Sequence, residues 1–73
     1  MKKLKQDSFL PLRTEVYKGF IGCYGYFDDA KLFMGITISP GVMLSFRGKT
    51  EVQAEQAFKN IVDEYLEYAS DNQ

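Results

Sequence analysis

The sequence predicts an α+β domain in which a three-stranded antiparallel meander is followed by one long helix packed on one face (β-β-β-α). Two observations support this class: apolar residues recur at helical spacing over residues 50–69, and they follow strand-like patterns between residues 17 and 47. Polar and Gly/Pro turns separate the strands. The pattern leaves room for an extra short strand at the N- or C-terminal end.

The chain has 73 residues, which is the size of one domain. Residues 1–13 lack a regular period and are predicted to be a flexible or edge extension, in which apolar residues around Pro11 can add a short extended segment. The domain itself is predicted to span residues 14–70, and residues 71–73 are predicted to be a frayed tail.

The first strand is predicted over Tyr17–Phe27, which is rich in aromatic residues. Alternation places Phe20, Tyr24 and Tyr26 on one face and Ile21, Cys23 and Phe27 on the other. Both faces are therefore apolar. Three glycines interrupt this strand and indicate a bulge, a strong twist or a close backbone approach: Gly19, Gly22 and Gly25. Packing room beneath helix side chains is the favoured interpretation.

The next two strands form a predicted hairpin after the polar turn at residues 28–31. Strand two is predicted over Leu32–Ile38 and strand three over Val42–Arg47, joined by Ser39-Pro40-Gly41. Proline presets a turn dihedral and glycine accepts a positive φ, so this tripeptide predicts a tight reversal.

The helix is predicted over Thr50–Ala69. Thr50 is a favourable N-cap, and Gln53 three residues later completes a capping-box pattern. The apolar stripe consists of Ala54, Ala57, Phe58, Ile61, Val62, Tyr65, Leu66 and Ala69. Such a helix is about 30 Å long, enough to cover three strands.

Composition excludes several classes of protein. With one cysteine and no histidine, the chain cannot form an internal disulfide, a histidine-containing zinc site or a histidine base. No apolar run approaches a membrane span and no signal peptide is recognisable, so we expect a cytoplasmic protein that does not contact membranes. Five basic residues lie within residues 1–18, whereas the remainder carries four basic and eight acidic residues, so direct nucleic-acid binding is not expected.

Catalytic and metal-binding patterns are weak. The pairs Asp28-Asp29 and Asp63-Glu64 could hold a divalent cation, but a turn and a solvated helix face explain them better. Cys23 has no histidine to activate it and is interpreted as a small buried strand residue. We therefore expect no enzyme activity, no cofactor and no metal.

The aromatic residues exceed what one helix can cover, so the second face of the sheet is expected to contact another subunit or a protein partner. A chain this short buries only roughly 60% of its unfolded surface, which favours assembly into a homo-oligomer. The residues predicted to contact a partner are Tyr17, Tyr24, Tyr26, Asp28 and Asp29. The alternative is that these residues only build a homodimer.

Two sequence blocks resemble the HicB family of antitoxins. The first comprises Tyr17-Lys18-Gly19-Phe20, Gly22, Tyr26, Asp28-Asp29, Phe33 and Gly35. The second comprises Ala57-Phe58 followed by Val62-Asp63-Glu64-Tyr65-Leu66-Glu67, and Phe46-Arg47-Gly48 occupies the family's position before the helix. Together the blocks cover roughly residues 17–69.

This resemblance implies a partial ribonuclease H-like fold without catalytic carboxylates, and assembly into dimers or larger oligomers. It also implies that the chain binds a HicA-type toxin, a small messenger-RNA-cleaving ribonuclease, and inhibits it by covering its active surface. The sequence departs from the family in its Ser39-Pro40-Gly41 loop, in residues 1–16 and in having no C-terminal DNA-binding domain before Gln73, so autorepression is not expected. The alternative function is a repurposed stand-alone oligomeric interaction module that inhibits a different enzyme, for example one encoded by a mobile element.

Overall fold

The computed structural model describes residues 12–71, which form one four-stranded antiparallel sheet and one helix. The elements are β1 (Leu12–Arg13), β2 (Ile21–Phe27), β3 (Leu32–Ser39), β4 (Ser45–Gly48) and α1 (Glu51–Asp71). The strands are adjacent in chain order, as in a meander. The predicted α+β class is thereby confirmed, and the extra strand lies at the N-terminal end. The rest of the predicted extension, residues 1–11, lies outside the described residues.

The first long strand begins four residues later than the sequence predicts. Tyr17 and Phe20 exchange backbone hydrogen bonds of 2.9 Å and 2.8 Å around a two-residue turn. The central residues have positive φ, 52° at Lys18 and 87° at Gly19, which is the geometry of a type I′ hairpin turn. The prediction that the strand starts at Tyr17 is wrong because a glycine after the lysine permits this reversal.

The hairpin between β3 and β4 also differs from its predicted bounds. Strand β3 continues through Ser39, and β4 begins at Ser45 instead of Val42. The segment between them is bound to one buried threonine: the Thr37 hydroxyl donates to the Val42 carbonyl and accepts from the Leu44 amide at 2.9 Å. The Thr37 amide still donates to the Leu44 carbonyl at 2.9 Å, but the Leu44 amide bonds to the hydroxyl, so the regular strand pairing predicted for residues 42–44 is incomplete. The reversal predicted for this tripeptide is present, since β3 and β4 pair as antiparallel neighbours, and Gly41 has the positive φ, 128°, that favours glycine.

The helix begins where the sequence predicts. The Thr50 hydroxyl accepts a hydrogen bond of 3.1 Å from the Gln53 amide, which satisfies one of the free N–H groups of the first turn. The Gln53 side chain accepts from the amide of Lys49 at 3.0 Å, one residue before the position that a standard capping box uses. The helix continues to Asp71, two residues past its predicted end.

The core is centred on the Phe46 ring of β4. This ring lies 6.0 Å from the Tyr24 ring and 5.4 Å from the Phe58 ring of α1, measured between centroids. Two glycines make room for it, because a Cβ on Gly22 would lie 2.9 Å from one Phe46 ring carbon and a Cβ on Gly35 would lie 2.8 Å from another. Gly22 therefore provides packing room as predicted, but beneath a strand side chain instead of a helix side chain.

The strand register gives the sheet two different faces. The inner face carries Phe46 and Tyr24 and packs against α1 through buried Ala54, Phe58 and Val62. Side chains of the opposite face, which we call the outer face, lie in the rows Arg13–Cys23–Ile36–Ser45 and Gly25–Met34–Arg47 and in the pair Phe27–Leu32. No element among residues 12–71 covers the outer face.

We predict that Gly35→Ala lowers the free energy of unfolding by about 3 kcal/mol, because the new methyl group overlaps the Cys23 carbonyl, the Tyr24 Cβ and the Phe46 ring. Urea denaturation followed by circular dichroism measures the effect.

The matched control is Ser45→Ala, an exposed position on β4, which should change the stability by less than about 0.5 kcal/mol. Equal denaturation midpoints for Gly35→Ala and Ser45→Ala would contradict the role assigned to the glycine.

Candidate functional site

A polar cluster joins the turn before β2 to the helix. The Asp63 carboxylate accepts hydrogen bonds from the Tyr17 hydroxyl at 3.0 and 3.1 Å and from the Lys18 ammonium at 2.8 Å. The Tyr17 ring also meets the Phe58 ring edge-on at 6.3 Å. We call these four residues the turn–helix cluster. It brings together residues 45 and 46 positions apart, one from each block of the sequence resemblance.

The charges in the turn–helix cluster favour each other. The hydrogen bond from Lys18 and then the bond from Tyr17 lower the pKa of Asp63, and the bond to Asp63 raises the pKa of Lys18. The Asp63 side chain is 46% exposed and the Lys18 side chain is 53% exposed, so solvent screens the ion pair and its contribution to stability is small. Tyr17 is half-buried and uses its hydroxyl within the chain, which leaves it only partly available to a partner.

Tyr24 is a core residue, so the prediction that it is an exposed partner contact is wrong. Its side chain is 2% exposed and lies between the rings of Phe33 and Phe46, at 6.1 and 6.0 Å. The Tyr24 hydroxyl donates a 2.8 Å hydrogen bond to Glu55, and burial together with this carboxylate raises the pKa of Tyr24 to about 12. The sequence held the signal, since alternation places Tyr24 on the same face as buried Phe20.

The other predicted contacts lie together at the turn between β2 and β3. Tyr26 is 46% exposed with its ring 5.1 Å from that of Phe33, and Asp28 and Asp29 are both exposed. We call Tyr26, Asp28 and Asp29 the turn patch. Together with Phe27 they line a hollow of about 220 Å³.

The backbone holds the turn patch in shape, because the amides of Ala30 and Lys31 both donate to the Phe27 carbonyl, at 3.1 and 2.8 Å. A phenol ring beside two carboxylates suits a cationic side chain, which gains charge-assisted hydrogen bonds and a cation–π contact. Lys31 at the end of the same turn offsets part of this negative charge.

The outer face is a second candidate surface. It contains an open groove of about 600 Å³ over β3 and β4, lined in part by Met34, Ile36, Ser45 and Arg47. The sequence predicts an apolar partner surface here, but its alternation does not reveal that Arg13 and Arg47 share this face. Their placement depends on strand register, which a single sequence specifies poorly when both faces are apolar.

Residues 12–71 contain no group of three or more cysteine, aspartate or glutamate side chains arranged to hold a metal ion. Asp63 is instead bonded to Tyr17 and Lys18, and Cys23 is a free, half-buried thiol on the outer face. In this part of the chain no helix has the length and apolar character needed to span a membrane.

Comparison of the chain with protein-family models, with curated proteins and with solved structures finds no match. The likeness to HicB antitoxins therefore depends on the two sequence blocks alone.

We predict that Asp63→Asn lowers the urea midpoint at pH about 7, because it removes the charge that Lys18 and Tyr17 stabilise. The folded-state pKa of Asp63 is lowered, so its stabilising contribution is present above the ordinary carboxyl pKa and is lost as the pH falls through the lowered value. The midpoints of variant and parent should therefore converge at pH about 2.

Glu64→Gln serves as the control, since Glu64 is the exposed neighbour on the same helix. If the urea midpoints of Asp63→Asn and the parent differ as much at low pH as at neutral pH, the electrostatic role of Asp63 is contradicted.

Proposed function

We propose that this chain is a HicB-like antitoxin module, located in the cytoplasm, that binds a HicA-type messenger-RNA-cleaving toxin and inhibits it by steric cover. The observation that carries the proposal is the turn–helix cluster. Asp63 of one block bonds to Tyr17 and Lys18 of the other, although these residues lie 46 and 45 positions away in the sequence. This contact gives a structural reason for both blocks to occur in one chain.

The turn patch is the surface we assign to the toxin. Its exposed phenol and two carboxylates suit the lysine and arginine side chains of an RNA-binding protein. The eight acidic residues after position 18, against four basic ones, would also raise the rate of encounter with a basic partner.

Inhibition by cover requires no catalytic group in the inhibitor. The antitoxin needs a rigid surface that excludes RNA from the toxin, and the backbone-bonded turn between β2 and β3 supplies one. We also retain the expectation that the chain assembles into a dimer or a larger homo-oligomer, which sedimentation velocity measures.

The alternative proposal is an interaction module that inhibits an enzyme other than a ribonuclease. The outer face favours it, because an apolar surface that carries Arg13 and Arg47 does not complement a basic toxin. A partner bound there would be apolar or acidic.

An affinity pull-down from the native host with quantitative mass spectrometry tests the antitoxin proposal. We expect recovery of a small, basic ribonuclease, and about tenfold less of it with the double variant Asp28→Lys/Asp29→Lys, since reversed charge repels a basic surface. The parent chain should then suppress RNA cleavage by the recovered protein, and the variant should suppress it less.

The matched control is Glu64→Lys/Glu67→Lys, which makes the same change of net charge at exposed helix positions. Equal loss of capture in both double variants would indicate an effect of overall charge and contradict the assignment of the turn patch. Recovery of a large unrelated enzyme, or unchanged RNA cleavage in the presence of the parent chain, would contradict the antitoxin proposal itself.

A further inference from the structure

The charged strand residues of the outer face have one sign. Among the strand residues that point to this side, the charged ones are Arg13 and Arg47, and both are exposed. They lie on the two edge strands, β1 and β4, while β2 and β3 between them contribute apolar side chains such as Cys23, Met34 and Ile36. An apolar strip is thus bordered on each side by a guanidinium group.

The spacing of the two arginines matches the width of a helix. Three strand-to-strand steps separate β1 from β4, which amounts to about 14 Å, whereas an α-helix with its side chains is roughly 10–12 Å wide. Along the strands, Arg13 lies in the row of Cys23 and Arg47 in the row of Gly25, so they are offset by two residues or about 7 Å. That offset is close to one helical turn of 5.4 Å.

We propose that the outer face binds an amphipathic helix of another protein, aligned with the strands, whose apolar stripe packs on Met34 and Ile36. A carboxylate on each flank of that helix, displaced by about one turn, pairs with Arg13 and with Arg47. The bound helix would turn the two-layer domain into a three-layer arrangement, with one helix on each side of the sheet. This surface is separate from the turn patch and does not depend on the antitoxin proposal.

A second copy of the chain fits this face less well. A central twofold axis between two such faces sets each arginine over the same sheet edge as an arginine of the other copy, about 7 Å away along the strands, whether the axis runs along the strands or across them. Like charges in those positions oppose association.

The chain's own residues 1–11 are also a poor match for the outer face. This segment carries Lys2, Lys3 and Lys5 against the single acid Asp7, so its net charge has the same sign as Arg13 and Arg47. Charge complementarity therefore selects an acidic partner helix over either alternative.

Two synthetic 18-residue helical peptides with the same apolar stripe provide the probe. One carries glutamates along both flanks and the other carries lysines. With the full-length ¹⁵N-labelled chain, we expect the glutamate peptide to shift the amide signals of Cys23, Met34, Ile36 and Arg47. The signals of Tyr26, Asp28 and Asp29 should stay in place, and the lysine peptide should bind at least about tenfold more weakly.

The variant Arg13→Glu/Arg47→Glu should reverse the preference, so that the lysine peptide binds better than the glutamate peptide. The control Gln56→Glu/Lys59→Glu/Asn60→Asp lowers the net charge by the same four units on α1, which packs against the opposite face of the sheet, and it should preserve the preference of the parent chain.

Four results would overturn the proposal. Equal affinity for the two peptides would remove the role of the arginines, and shifts confined to the turn patch or to α1 would place binding elsewhere. Self-association of the parent chain that is abolished by Ile36→Glu would assign the face to a second copy. A shift of the amide signals of residues 1–11 towards random-coil values when the peptide is added would assign the outer face to that segment.

Discussion

The fold depends on the placement of the Phe46 ring above two positions without side chains. Gly22 on β2 and Gly35 on β3 leave a shallow space in the inner face, and a methyl group at either position would enter the van der Waals space of the ring. The ring thereby reaches Tyr24 on one side and Phe58 of the helix on the other. Since protein interiors are packed to crystal-like density, this one arrangement fixes both the register of the strands and the distance of the helix from the sheet.

The helix is fixed to the sheet at its start and in its second half by contacts of different kinds. At its start, Gly48 lies so close to the backbone of Gln53 and Ala54 that no side chain fits, which makes the passage from β4 into α1 direct. Further along, Phe20 meets Tyr65 at 6.0 Å, and the turn–helix cluster bonds Asp63 to the turn before β2. Apolar contact supplies most of the energy there, and the exposed ion pair selects the orientation.

The parts of this structure that local patterns determine were predictable from the sequence. The helix and its cap at Thr50 follow from an eight-residue apolar stripe and a capping pattern, and both are present. The start of β2 was missed because two central residues with positive φ convert Tyr17–Phe20 into a turn, although the same letters suit a strand. Periodicity does not encode contacts between distant residues. Three features depend on such contacts: the role of Thr37, the burial of Tyr24, and the position of Arg13 and Arg47 on one face.

Both faces of β2 and β3 are apolar, and this has a consequence for folding. In most sheets a one-residue slip moves apolar side chains into water, and this loss of free energy disfavours wrong alignments. Here a one-residue slip of β2 against β3 would exchange one apolar face for the other, so hydrophobic burial discriminates poorly between alignments. The native alignment is distinguished by the absence of side chains at two positions, because it sets Gly22 and Gly35 beneath the Phe46 ring. The alignment of the strands therefore depends on these two glycines more than on the side chains of the outer face, and loss of the glycines would admit competing alignments.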